Sequence, residues 1–377
     1  MRPAPGRRVP LLNLGALHAG IRDELMAAIR GVFEKQRFIL GEEVRELERA
    51  LAGYCGVRHA IGCASGSDAL YLALLAAGIG PGDKVVTPPF TFFATAGAIS
   101  RVGALPVFVD IDPDTFHISP ELLARTLESV DRIRAVIPVD LFGGCADMDP
   151  ILETARRHGC FVIEDGAQAI GAQYKGRRAL GLADVGCLSF FPTKNLGGLG
   201  DGGMLMSDDG ALADKLLALR THGGVRKYHH PWIGINSRLD TLQAACLLVK
   251  LRYLDEWTAR RQSHAALYQR LLAAERVPVT APKAASHQTR HVWNQFVVRC
   301  PERDRLRKHL EERGIGTEIY YPLPLHLQPC YAPLGHRAGD FPASEQAAGE
   351  VLALPVDPPL EVEDIEYVCG AIRAFFG

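Results

Sequence analysis

The sequence lacks a paired-cysteine motif, an appreciable net charge and a long apolar run, and each absence closes off a class of function. Its nine cysteines are scattered and include no CxxC pair. That pattern argues against a disulfide framework and a thiolate metal site, and reduced, mostly buried thiols are expected. Lysine plus arginine total 42 and aspartate plus glutamate 43, so no general electrostatic attraction to nucleic acid or to a membrane surface is expected. No apolar run approaches membrane-spanning length, and no apolar signal core follows Arg2, Arg7 and Arg8; a cytoplasmic protein is expected. His229 and His230 stand adjacent with neither an HxxxH spacing nor an acidic partner, so no metal site is expected. Internal repeats, low-complexity segments and a basic recognition helix at either end are also missing.

Against these absences stands one stretch, residues 189–203, SFFPTKNLGGLGDGG. An apolar run ends at Phe190 and Phe191, a proline turns the chain, and Lys194 follows among glycines that offer little packing to hide an ammonium. A lysine in a partly desolvated pocket loses its proton more readily, and the free amine condenses with an aldehyde to a Schiff base, which is how pyridoxal phosphate is held. Most lysines are solvated surface charges, so the neighbours have to carry this reading. Gly198, Gly200 and Gly203 also satisfy GxGxxG, but a dinucleotide fingerprint follows a strand and opens a helix in a first βαβ unit. Here the glycines sit mid-chain and lead into MLMS, which reads as a strand. Backbone closing around a cofactor is the better account.

Upstream, residues 18–54 read as helix in two amphipathic stretches, IRDELMAAIRGVFEK and EEVRELERALAGY, with a break at Gly41 and Glu42. HAIGCASGSDALYLALLAAG then passes from a short strand through Ser65, Gly66 and Ser67 into a helix. Such a turn is either an ordinary serine N-cap or an anion site, where free N–H groups and the helix dipole favour a phosphate. Val-rich runs at DKVVT, RAVIPVD and FVIED alternate with helix-length segments, which indicates a mostly parallel sheet covered on both faces. The expected fold is α/β: a large doubly wound domain over residues 1–250 and a smaller α+β domain over 251–377. A long helix starting near Leu239 leads from one to the other. Ligands of such sheets lie beyond the carboxyl ends of the strands, so residues 65–68, Phe92, Asp140, Asp165 and Gln168 are placed on one edge. Asp165 ends a buried strand and needs a partner. A protonated pyridine nitrogen would serve, as would a helix N-cap or a salt bridge. Phe92 reads either as a ring-stacking aromatic or as a core phenylalanine.

Taken in order, the motifs ASGSDAL, TPPFTFFATAGAI, FVDID, ADMDPI, IEDGAQAIGAQYKG, SFFPTKNLGGLGDGG, GINSRLDTLQAA, GIGTEIYYPLPLHLQ and GDFPASE resemble the sugar aminotransferase family called DegT/DnrJ/EryC1/StrS, over nearly the whole chain. The resemblance implies a fold type I enzyme that uses pyridoxal 5'-phosphate. It makes Lys194 the Schiff-base lysine and proton shuttle, Asp165 the partner of the pyridine nitrogen, and Gln168 the neighbour of the ring hydroxyl. Gly66, Ser67, Asp68 and Ser189 match the phosphate site, and Phe92 the stacking aromatic. Asn236 is similar to an asparagine that crosses a dimer interface to the partner's phosphate, which implies a homodimer with shared active sites.

Some relatives carry histidine in place of the lysine and are dehydratases. This chain keeps Lys194, so the resemblance favours amino transfer: L-glutamate converts the cofactor to pyridoxamine phosphate, which aminates a keto group of a nucleotide-linked sugar. The NSRLD motif resembles enzymes of 3-keto sugars, whereas NYRM versions are usual for 4-keto sugars. The combination of YHH, which contains His230, with NSRLD is similar to enzymes making 3-amino uronic acids on UDP, with Arg238 a partner for the sugar carboxylate. Tyr320, Tyr321 and His326 fall in a further substrate-binding motif. Tyr320 departs from that subgroup, where histidine is common; tyrosine hydrogen-bonds but has no cationic form. UDP-linked 3-keto N-acetylglucosamine and dTDP-linked 3-keto deoxyhexoses therefore stay open. Asp140 also replaces a frequent histidine and reads either as a solvated loop carboxylate or as a substrate contact. The alternatives are a 4-keto sugar aminotransferase, other pyridoxal chemistry on the same fold, and a non-catalytic regulator, which should have lost Lys194, Asp165 or the phosphate turn.

Overall fold

A computed structural model describes residues 7–275 and 277–377; Arg2 lies outside the described residues. Seven short strands make the central sheet: β1 (His59–Cys63), β2 (Lys84–Thr87), β3 (Leu105–Phe108), β4 (Ile133–Val136), β5 (Phe161–Asp165), β6 (Val185–Ser189) and β7 (Gly203–Ser207). Their order is β1-β7-β6-β5-β4-β2-β3. Only β7 runs against its neighbours, β1 and β6, and the other pairings are parallel. Successive residues of a strand point to opposite faces. Ile163, Val185 and Cys187 join one buried apolar cluster with Leu70, Leu74 and Ile99. Val136 and Val162 join another with Leu123, Met148 and Ile151. Helices cover both faces, which is why the strands read as continuous apolar runs rather than alternating ones.

The helices that matter for the site are α1 (Arg22–Lys35), α2 (Glu42–Cys55), α3 (Gly66–Ala76), α4 (Ala94–Arg101), α5 (Thr241–Leu251) and α6 (Leu254–Glu275). In α2, Val44, Leu47, Leu51 and Cys55 form the buried stripe, and Gly56 ends the helix at φ 74°, a left-handed position that costs glycine little. The expected long helix from Leu239 is instead two helices, α5 and α6, parted at Arg252 and Tyr253. There both side chains turn to Glu24 of α1, with Tyr253 Oη donating at 2.5 Å.

Beyond α6, β8 (Phe296–Arg299) and β9 (Val351–Leu354) pair antiparallel. With α7 (Arg303–Glu311) and α8 (Val362–Phe376) they bury Phe296, Leu306, Leu352, Ile365 and Ile372. The same cluster takes in Val9, Phe90 and Val139 from the sheet-bearing part. A buried ion pair also fastens the C-terminal part: Arg261 Nη2 lies 3.0 Å from Asp357 Oδ1, and Asp357 Oδ2 accepts from the N–H of Asn13 at 2.8 Å. Among the described residues, no helix is long and apolar enough to cross a membrane, and no group of three or more His, Cys, Asp or Glu side chains is placed to hold a metal ion.

Candidate active site

The carboxyl ends of β1, β2, β4, β5 and β6 share one edge with the start of β7, and the turn after β1 lies at one end of it. Ser65 caps α3 by accepting from the N–H of Asp68 at 3.1 Å. That leaves the N–H groups of Gly66 and Ser67 without a partner among the described residues. Two neighbouring segments close on this turn. A Cβ added to Gly66 would lie 2.6 Å from Cβ of Ser189, and one added to Gly203 would lie 2.4 Å from the Ser65 carbonyl carbon. The result is a cup of two free amides at a helix N-terminus beside the Ser189 hydroxyl, the arrangement that favours a phosphate. Asp68 supplies neither a free N–H nor a free side chain: its carboxylate pairs with Arg101 of α4 at 2.8 Å.

Three strands along the sheet from β1, Asp165 ends β5 and is 5% exposed. Its Oδ2 accepts from Thr95 Oγ1 at 2.8 Å and its Oδ1 from the N–H of Ala167 at 3.3 Å. Burial pushes the carboxyl above its ordinary range, while Thr95, Ala167 and the charge of Lys194 draw it down. Lys194 lies in the turn after β6, where its N–H donates to the Phe191 carbonyl at 2.9 Å. Burial lowers its ammonium from the usual 10.5 to about 8, against the attraction of Asp165. No hydrogen bond or ion pair engages that ammonium among the described residues. The lowered lysine therefore faces a buried carboxylate on the same sheet edge as the amide cup. A free amine, a carboxylate and an anion cup together fit a phosphorylated pyridine aldehyde.

Gln168 accepts from the N–H of Phe142 through Oε1 at 2.6 Å and donates through Nε2 to Tyr321 Oη at 3.3 Å. Tyr321, joined to Tyr320 by a cis peptide, also lies 6.1 Å from Phe92 between ring centroids. Phe92 is 57% exposed, so it is not the core phenylalanine that was one of its two readings. Asp140 is fully buried. It accepts from the N–H of Ala146 at 2.9 Å through Oδ1, so neither expectation for it, solvated or substrate-facing, describes its position.

The remaining candidates gather less closely. Asn236 is exposed and bridges Thr221, while its neighbour Ser237 accepts from the N–H of Ala64 at 3.1 Å, beside the amide cup. Arg238 has a buried Nε with no partner. His230 is exposed, with Nδ1 3.0 Å from the His222 carbonyl. His326 is buried against Phe341 and bonded to Glu345 at 3.1 Å, apart from the Lys194 group. Tyr320 is half-buried.

Two residues escape a reading by motif. Thr95 reaches Asp165 from the first turn of α4, which packs on β2 and β3 of the same sheet. Lys250 of α5 is 2% exposed and donates to the Gly197 carbonyl at 2.6 Å, which braces the Lys194 loop from beneath.

A family model described as the DegT/DnrJ/EryC1/StrS aminotransferase family matches residues 20–373. A pleiotropic regulatory protein of Geobacillus stearothermophilus is 49% identical over 98% of this chain and 98% of its own length. A UDP-2-acetamido-2-deoxy-3-oxo-D-glucuronate aminotransferase of Pseudomonas aeruginosa is 42% identical over 97% of this chain and 99% of its own. Among solved structures, DesV of S. venezuelae in complex with a ketimine intermediate superposes with a TM-score of 0.94 at 43% identity, over 97% of this chain and 98% of that one. Agreement of sequence and backbone over almost the full length leaves one assignment: the chain belongs to the DegT/DnrJ/EryC1/StrS family of pyridoxal phosphate-dependent aminotransferases.

Proposed function

We propose that this enzyme moves an amino group from L-glutamate to the 3-keto group of a nucleotide-linked sugar, using pyridoxal 5'-phosphate, as a homodimer. The observation that carries the reading is the unpartnered ammonium of Lys194, lowered to about 8, facing Asp165 on the edge that also holds the amide cup. Pyridoxal phosphate, when bound, supplies an aldehyde that condenses with amines and a protonated ring that withdraws electrons from the reacting carbon.

The chain's own residues do the rest. Gly66, Ser67 and Ser189 hold the phosphate. Asp165 keeps the ring nitrogen protonated, and a cation there stabilises the ionised carboxylate that burial disfavours. Gln168 orients the ring hydroxyl, and Phe92 covers the ring face. Lys194, as a free amine, would carry a proton between the substrate carbon and the cofactor, away from the glutamate carbon in the first half of the cycle and onto the sugar carbon in the second. The orphaned Nε of Arg238 is available to an anionic group of the sugar nucleotide, and His230, Tyr320 and Tyr321 are the other proposed substrate contacts. Asn236 reaches the phosphate of the partner's site. The 3-keto preference is supported by the NSRLD motif and by the relative named for a 3-oxo sugar.

The test is the absorption spectrum of the purified protein, followed by addition of glutamate and then of UDP- and dTDP-linked 3-keto and 4-keto sugars, with products identified by mass. A cofactor band that bleaches with glutamate and returns with a 3-keto sugar supports the proposal. Recovery with only a 4-keto sugar overturns the regiochemistry. No exchange with any of them overturns the proposal and favours a regulatory role, the one in the name of the Geobacillus relative.

A further inference from the structure

The buried polar group that the proposed chemistry does not use is Asp140, and its surroundings define a second pair of carboxyl groups behind the site. Asp140 and Glu164 are both fully buried, and their carboxyl groups adjoin. Glu164 accepts from the N–H groups of Leu180 at 2.6 Å and Leu182 at 3.0 Å, one on each oxygen. Asp140 accepts one N–H, from Ala146 on Oδ1, and its Oδ2 is buried with no donor directed at it. Among the described residues, the titratable groups that face the pair are Asp165 on β5, Cys187 on β6, Cys145 on the loop of Asp140, and Cys55 at the end of α2. None of these supplies a positive charge. Two ionised carboxylates in contact at such a place repel strongly, so one keeps its proton. Glu164 has amide donors on both oxygens to support the charged form. Asp140 has a bare oxygen, which a proton satisfies.

The main chain ties this pair to the site. Asp140 donates its N–H to the carbonyl of Asp165 at 3.0 Å, and Asp165 returns one to Pro138 at 2.9 Å. Two residues further on, Phe142 donates to Gln168. We propose that Asp140 is a positioning residue: a neutral acid that donates from Oδ2 to Glu164 and so clamps segment 138–142 to the strand end that carries Asp165 and, through Phe142, to Gln168. Burial, with Glu164 next in weight, drives the Asp140 carboxyl well above its ordinary range, in agreement with this placement of the proton. The consequence for the cofactor rests on the reading of Asp165 given above; the placement of the proton does not.

Difference infrared spectroscopy of the cofactor-free protein at neutral pH tests the proton directly. Wild type minus Asp140→Asn is expected to show the carbonyl stretch of a protonated carboxylic acid, and its absence from the difference spectrum overturns the proposal. Asparagine offers Nδ2 as donor to Glu164 and Oδ1 as acceptor for Ala146, so Asp140→Asn is expected to bind pyridoxal phosphate as the wild type does. Asp140→Leu leaves Glu164 without its donor. In that variant the pH at which the bound cofactor's spectrum changes is expected to move by about one unit. An unmoved profile refutes the positioning role. If Asp165→Asn leaves that profile unmoved while the infrared band of Asp140 is present, the reading of Asp165 fails and the buried acid pair stands.

Discussion

If burial holds the Lys194 ammonium near a pKa of about 8 instead of 10.5, the apoprotein should carry a reactive amine at neutral pH. About one molecule in ten would then hold the free amine at pH 7, roughly 300-fold more than an ordinary lysine. The assay is the rate at which cofactor-free protein takes up pyridoxal phosphate, followed by absorbance from pH 6 to 11, with the labelled residue identified after reduction. The rate constant should rise tenfold per pH unit and level off near pH 8. Lys250, also lowered to about 8, is too buried to compete, and Lys194→Ala is expected to abolish uptake by this route. A stability measurement provides a second check. The depressed pKa means that the unfolded chain binds more protons than the folded one between pH 8 and 10.5. The cost is therefore complete below pH 8, shrinks as pH rises, and vanishes above 10.5. Its upper bound is about 3 kcal/mol, reduced because Lys194 is partly accessible to solvent. Lys194→Met should stabilise the apoprotein by about 1–3 kcal/mol at pH 7 in urea unfolding, with the gain fading across that window. A rate that inflects above pH 10, or a methionine variant no more stable than wild type, would refute a desolvated lysine.

Four further outcomes follow from the geometry. Gly203→Ala puts a methyl against the Ser65 carbonyl and should weaken pyridoxal phosphate binding by about tenfold or more by titration calorimetry; wild-type affinity would mean the cup tolerates the shift. Asp165→Asn should leave phosphate affinity within a few fold and slow proton removal from glutamate by about a hundredfold or more in stopped flow, and full activity would displace Asp165 from the ring. Mixed dimers of Asn236→Ala with Lys194→Ala chains separate the two possible routes of Asn236 to the cup: the one site that keeps Lys194 loses cofactor affinity if Asn236 acts within its own chain and keeps it if Asn236 crosses to the partner. Asp357→Ala strands the buried guanidinium of Arg261 and should cost about 3–5 kcal/mol in denaturant unfolding, against a much smaller loss when both partners become apolar.

Much of the fold was legible because local rules and tertiary context agree. FVIED reads as a strand ending in a carboxylate because a strand covered on both faces is apolar throughout, and β5 ends at Asp165. The cap at Ser65 is a short-range matter, and α3 begins at Gly66. The break between α5 and α6 was not legible, since the apolar pattern runs on through it and Glu24 of α1, 228 positions away from Arg252, takes part in the turn.

The site divides in the same way. Residue type and order along the chain determined which groups reach the carboxyl edge of the sheet, because a strand, a turn and a helix each leave their signature within a few residues. That suffices to single out Lys194, Asp165 and the turn at Gly66 and Ser67. Which side chain stands opposite which was decided only in three dimensions: Thr95 on Asp165, Lys250 under Gly197, Phe92 bare to solvent, His326 sealed behind Phe341, and Asp140 against Glu164. The physical reason is that burial and pairing depend on strand order and helix packing between segments distant in sequence, and the periodicity of a single segment carries no record of its neighbours.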